Sequence, residues 1–138
     1  MKCYWIKWTN NLANGFGGTA RGPFIKILAK YKGDLGLVEH EKMHERQWYV
    51  VLAAGVLLGA LLTLLVSTSM WPIYGLAPFI HQLLYTFARP YRRWCEVKAY
   101  RKQIATGGYI SNEFAVTMLV EKYKLALSVE EARTLLSN

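Results

Sequence analysis

Between Gln47 and Ala88 the chain contains no Asp, Glu, Lys or Arg, although it carries a formal charge of +8 overall. A stretch of this kind has to be covered, by protein or by lipid, because water-exposed surface on an ordinary fold is laced with charge. Within it, residues 51–69 (VLAAGVLLGALLTLLVSTS) are apolar or small throughout. As a helix they would rise roughly 28 Å, close to the hydrocarbon thickness of a bilayer. Pro72, Gly75 and Pro78 then interrupt the run, and residues 73–87 give a returning arm of roughly 22 Å, short for a span. The expectation is an apolar helical hairpin over residues 51–87 embedded in a membrane. A hairpin that dips into one leaflet, or one buried in a soluble cytoplasmic protein, satisfies the same pattern.

The charge distribution supports the hairpin independently. Of the 17 Lys and Arg, eight precede the uncharged window and nine follow it. By the positive-inside tendency both flanks are expected on the cytoplasmic side. The basic excess matches an anionic leaflet, and no RNP, zinc-finger or helix-turn-helix pattern suggests a specific nucleic-acid partner. A chain of 138 residues suits one domain.

His40-Glu41-Lys42-Met43-His44 has the spacing H-E-x-x-H. On a helix the two histidines share one face and can reach one zinc ion, with the glutamate beside them as a base. A catalytic zinc normally holds three protein ligands, so a third is required downstream, and Glu96 is the candidate. This arrangement leaves one position for water, whose acidity the metal raises. Glu41 is then the general base of a peptide-bond hydrolysis. Tyr91 and Tyr100 are candidates for a phenol that stabilises an oxyanion, and Arg101 for a contact to a ligand residue or to a substrate carboxylate. His81, halfway along the returning arm, is either an extra ligand or substrate contact, or an imidazole facing protein or water without metal. The plain alternative for His40 and His44 is a solvated helix face, since Glu39, Glu41, Lys42, Glu45 and Arg46 surround them. For Glu96 it is intrahelical pairing with Arg92, Arg93 or Tyr100.

Along the chain, Asn10-Asn11, Asn14-Gly15, Gly17-Gly18 and Gly22-Pro23 mark turns between short extended pieces, with strands expected over 3–8 and 24–30. Asp34 is expected to cap a helix over 35–49 that carries the metal motif. A Glu96-bearing helix follows Pro90 over 91–106, stopped by Gly107-Gly108. Ser111 is expected to cap a helix over 112–124, and Ser128-Val129-Glu130-Glu131 has capping-box spacing ahead of a last short helix. The fold class is therefore mainly α with a small N-terminal β element.

These motifs resemble the gluzincin branch of zinc metallopeptidases, in which H-E-x-x-H on one helix is joined by a Glu on a later helix. The matching pieces are residues 40–48 (HEKMHERQW) and 94–100 (WCEVKAY), where Glu96 and Ala99 give the E-x-x-A spacing. Tyr100 stands where many members carry Asp. The layout over about residues 15–105 is similar to small, poorly characterised metallopeptidase-like proteins of bacteria and phages. The resemblance implies a peptide or protein substrate, with residues 24–30 as the edge strand that it pairs with. Two other readings remain open: a noncatalytic membrane or phage assembly protein with a structural or fortuitous H-E-x-x-H, and a zinc hydrolase of a non-peptide substrate.

Overall fold

A computed structural model describes residues 3–13 and 15–137, so that Asn14 of the Asn14-Gly15 turn lies outside the described residues. The chain is mainly helical with a small mixed sheet near its N-terminus. Strand β1 (Trp5–Thr9) runs parallel to β3 (Phe24–Leu28), and β2 (Gly18–Arg21) runs antiparallel on the other side of β3. The order β1-β3-β2 corrects one expectation: residues 24–28 form the central strand, and β2 is an edge. β2 is only four residues long and begins in glycine-rich sequence, so no alternation announces it. Gly22, at φ 57°, provides the left-handed residue for the tight turn from β2 into β3. Ala29 and Lys30, expected to extend the strand, fall in a 3-10 turn (Ala29–Tyr31) instead.

One face of β3 is buried through Ile25 and Ile27 and packs against helix α1 (Leu35–Leu65). Asp34 caps α1, its Oδ1 accepting from Leu37 N at 2.8 Å. The helix continues without a break from the metal motif into the apolar segment. A short 3-10 turn (Thr68–Met70) leads to α2 (Ile73–Phe87), which returns antiparallel and runs through Pro78 rather than breaking there. The Trp48 indole donates to the Pro78 carbonyl at 2.9 Å, joining the two arms. The arms meet at small residues four apart on α1. A Cβ placed on Gly55 would lie 3.0 Å from Ala77 Cβ, and one on Gly59 would lie 3.4 Å from the Tyr74 ring. This is the close-approach packing that a G-x-x-x-G pair permits.

Helix α3 (Arg89–Gly107) packs along α1, and Pro90 occupies its first turn. Behind it, α4 (Glu113–Thr117), a π turn (Met118–Lys122) and α5 (Val129–Ser137) close the main apolar core around Val97, Tyr100, Leu119, Leu125 and Ala132. The single helix expected over 112–124 is thus a short α-helix that widens into a π turn. The capping box forms, with Ser128 N donating to Glu131 Oε2 at 2.7 Å and Glu131 N to Ser128 Oγ at 3.2 Å.

The hairpin lies outside this core. Leu64 and Phe87 are each 81% exposed, and Leu57, Leu76 and Phe79 are exposed as well. By length and composition α1 is able to cross a membrane, and only 11% of its apolar window is buried within the chain.

Candidate metal centre

The long helix α1 presents His40 and His44 on the face that meets α3, and α3 answers with Glu96 about two turns into the helix. All three side chains converge, with their donor atoms within 4.8 Å of one another. His40 Nε2 and His44 Nε2 lie 3.2 Å apart, His44 Nε2 lies 3.4 Å from Glu96 Oε1, and His40 Nε2 lies 3.7 Å from Glu96 Oε2. Donors held at about 2.0 to 2.1 Å from a tetrahedral ion stand about 3.3 to 3.4 Å from each other. The two imidazole nitrogens are at about that separation, and each has a Glu96 oxygen within 3.4 to 3.7 Å, so the group is close to the size that one such ion requires.

Electrostatics make the same demand. Glu96 is fully buried and Glu96 Oε2 has no hydrogen-bond partner, a costly state for a carboxylate unless positive charge sits beside it. Burial opposes its charge, but His44 and then His40 overcome this and hold the carboxyl below its ordinary range. Burial likewise opposes charge on His44, and the Glu96 carboxylate reverses the outcome, so His44 is held above an ordinary imidazole. His40 goes the other way: burial, followed by the charge of His44, pushes it down to about 3. A buried His-His-Glu group of this kind can hold a metal ion.

Each histidine has a glutamine behind it. Gln47 Oε1 lies 3.0 Å from His44 Nδ1, while Gln47 Nε2 donates to the Cys95 carbonyl on α3 at 3.1 Å. With Nδ1–H donating to Gln47, Nε2 is the His44 nitrogen turned toward Glu96 and His40, free to bind a metal once its proton leaves. His40 Nδ1 and Gln103 Oε1 are both buried without a hydrogen bond of normal geometry, yet Gln103 sits close enough to favour the protonated imidazole. Gln103 Nε2 is anchored on the Tyr109 hydroxyl at 3.2 Å, and that hydroxyl donates to the capping Asp34 at 2.5 Å. On the opposite side the Tyr85 hydroxyl donates to Glu96 Oε1.

Glu41 leaves the ligand cluster and faces a cavity of about 900 Å³ that is also lined by His44, His81, Tyr85, strand β2 and the segment Lys122-Tyr123-Lys124. Burial raises the Glu41 carboxyl to about 8. That places a carboxyl near neutrality beside the imidazoles, the range in which a general base is effective.

The other sequence candidates fall into place unevenly. His81 lines the cavity, and its Nδ1 is 2.7 Å from the Tyr91 hydroxyl, so Tyr91 supports His81 rather than facing the cluster. His81 is outside the group of three that can hold a metal among the described residues. Tyr100 packs edge-on against the His40 ring, with centroids 4.4 Å apart, and its hydroxyl points to Tyr123. Arg101 is elsewhere: its Nε donates to the Leu135 carbonyl at 2.7 Å and ties α3 to α5.

Gln47 and Gln103 were legible in principle, three residues after His44 and two turns after Glu96 on the same helix faces. Tyr85 gave no such signal, because its approach to Glu96 depends on how the hairpin returns. No known protein family, curated protein or solved structure matches this chain.

Proposed function

We propose that the chain is a zinc-dependent peptidase whose active site lies at the cytoplasmic face of a membrane, with the hairpin of α1 and α2 embedded in the bilayer. The observation that carries the reading is the spacing of His40 Nε2, His44 Nε2 and the Glu96 carboxylate at 3.2, 3.4 and 3.7 Å with Glu41 adjacent. A divalent ion bound there supplies Lewis-acid polarisation of a carbonyl and acidifies water. Glu41 takes the proton from the attacking water and returns it to the leaving amine. Tyr85 and the two glutamines hold the ligands in one orientation.

Zinc is the ion that a two-imidazole, one-carboxylate set with tetrahedral spacing suits best. The membrane assignment rests on the exposed apolar hairpin, which the rest of the chain does not cover, and on the basic flanks at its two ends. Purified full-length protein in phosphatidylcholine nanodiscs should carry one zinc per chain by elemental analysis and hydrolyse an unstructured protein such as casein. Chelation should abolish the hydrolysis and zinc restore it. Failure to bind zinc at micromolar concentration ends the metal reading. Zinc binding with no peptide hydrolysis leaves a structural site or a hydrolase of another substrate.

A further inference from the structure

We infer that the substrate is an acidic, extended peptide segment, recognised by the four cations Arg21, Lys26, Lys122 and Lys124 around the cavity. This rests on the peptidase reading and names the substrate class for it. All four residues line the cavity, and among the described residues that line it Glu41 is the only carboxylate. None of the four enters an ion pair or a side-chain hydrogen bond among the described residues. Elsewhere the chain does pair its charges, as with Lys42 and Arg46 on Glu39 and Arg133 on Glu113. Arg92 also lines the cavity, but its guanidinium is occupied by the carbonyls of Tyr85 and Tyr123 at 2.8 and 3.3 Å and is a strut rather than a receptor.

Unneutralised charge of one sign, gathered in a concave site, raises the local concentration of ligands of the opposite sign. The arrangement comes from separate elements. Arg21 ends β2, Lys26 lies in the middle of β3, and the end of the π turn with the residues just after it brings Lys122 and Lys124 to the cavity. A peptide is favoured over a lipid headgroup because β2 is an edge strand that lines the same cavity, and its far edge carries no strand among the described residues. An extended chain can pair there through its backbone while its carboxylates meet the cations on either side. The cations suited to a leaflet are a different set, such as Arg89 and Arg93 at the end of the hairpin.

The test is binding, read on the zinc-loaded Glu41→Gln full chain in phosphatidylcholine nanodiscs by anisotropy of labelled unstructured peptides. Three peptides differ only in carrying Glu, Gln or Lys at alternate positions. The Glu peptide should bind about tenfold or more tightly than the Gln peptide at low salt, and the advantage should shrink as salt rises. Lys122→Glu combined with Lys124→Glu should remove the preference, and Lys26→Gln, a milder surface change, should reduce it severalfold. Equal affinity for the Glu and Gln peptides overturns the inference, as does a preference that survives all three substitutions. If the variants lose affinity only for phosphatidylglycerol vesicles while peptide preference is unchanged, the cations serve the bilayer and the inference falls. Wild-type hydrolysis of the peptides without acid preference leaves the peptidase reading intact and removes this one. Glu-selective binding without hydrolysis by the wild-type chain does the reverse.

Discussion

The backbone of Gly18 on β2 lies directly against the carboxylate of Glu41 on α1: a Cβ at Gly18 would fall 2.5 Å from Glu41 Oε1. Any side chain at position 18 must push this carboxylate away from the position beside His44. Because Glu41 is not a ligand in the cluster, Gly18→Ala is expected to leave zinc content at its wild-type value. Hydrolysis should fall on the order of a hundredfold, the cost of misplacing a reacting group by about 1 Å. Parallel elemental analysis and rate measurement check it, and a Gly18→Ala enzyme with wild-type rate would separate Glu41 from the chemistry.

Removing the base without moving it isolates its role. Glu41→Gln keeps the shape of the side chain and should retain zinc while losing about 10² to 10⁴ in rate. His44→Ala should lose metal and rate together, because a two-donor site no longer fixes the ion. Should Glu41→Gln hydrolyse substrate at the wild-type rate, the general-base assignment is wrong.

Among the described residues, Gln47 is the one side chain that joins His44 to the backbone of α3, through contacts of 3.0 and 3.1 Å. Gln47→Leu preserves volume and removes both contacts, freeing the imidazole to rotate. Zinc affinity should drop about 10- to 100-fold, as it does when a ligand histidine loses its outer hydrogen bond. Competition with a chromophoric chelator measures it. Lys98→Gln, a change at an exposed position on the same helix, serves as the reference.

The parts of this molecule legible in the sequence are those written in helical spacing. His40, Glu41 and His44 share a face by local geometry, and Asp34, Pro90 and Ser128 mark helix ends through one or two neighbours. The return path is a non-local matter, since Glu96 can meet His40 only if an even number of crossings separates them. What escaped was pairing between strands. β2 is four residues long and starts with the glycine that must lie against Glu41, so the feature that makes it useful at the site also erased its strand signature. Without a visible β2, the pattern places β3 at the edge, whereas it is the central strand. The π turn leaves no sequence trace for a similar reason: Met118 and Leu119 continue a helical pattern, and the widening that ends at Lys122 shows only in the structure.

Proton release should accompany metal uptake. Glu96 holds His44 protonated above the ordinary imidazole range, whereas burial keeps His40 neutral down to about pH 3. At pH 7.5 an incoming zinc ion must therefore displace the proton on His44 and none from His40. Affinity should fall as the pH is lowered, because protons compete for the same nitrogen. Calorimetric titrations in buffers of differing ionisation enthalpy should return at least one proton released per zinc, from His44, and up to about two where the ion also drives the proton off Glu41, which burial raises to about 8. Zero release would show that His44 is neutral before the metal arrives.

Two glycines of the hairpin make opposite predictions. At Gly55 a Cβ would stand 3.0 Å from both Ala77 Cβ and Ile80 Cδ1, while at Gly75 nothing lies within 4 Å. Gly55→Ile should wedge α2 away from α1 at a cost of about 1 to 3 kcal/mol. Gly75→Ala should be neutral or stabilise α2 by up to about 1 kcal/mol through helix propensity. The wedge also reaches the metal centre, because Tyr85 sits on α2 and donates to Glu96 Oε1. Gly55→Ile should therefore speed zinc loss to a chelator, and Gly75→Ala should not. Thermal unfolding and zinc release in the same nanodiscs read both effects. Destabilisation without faster zinc loss would mean that the hairpin anchors the protein but does not support its metal ligands.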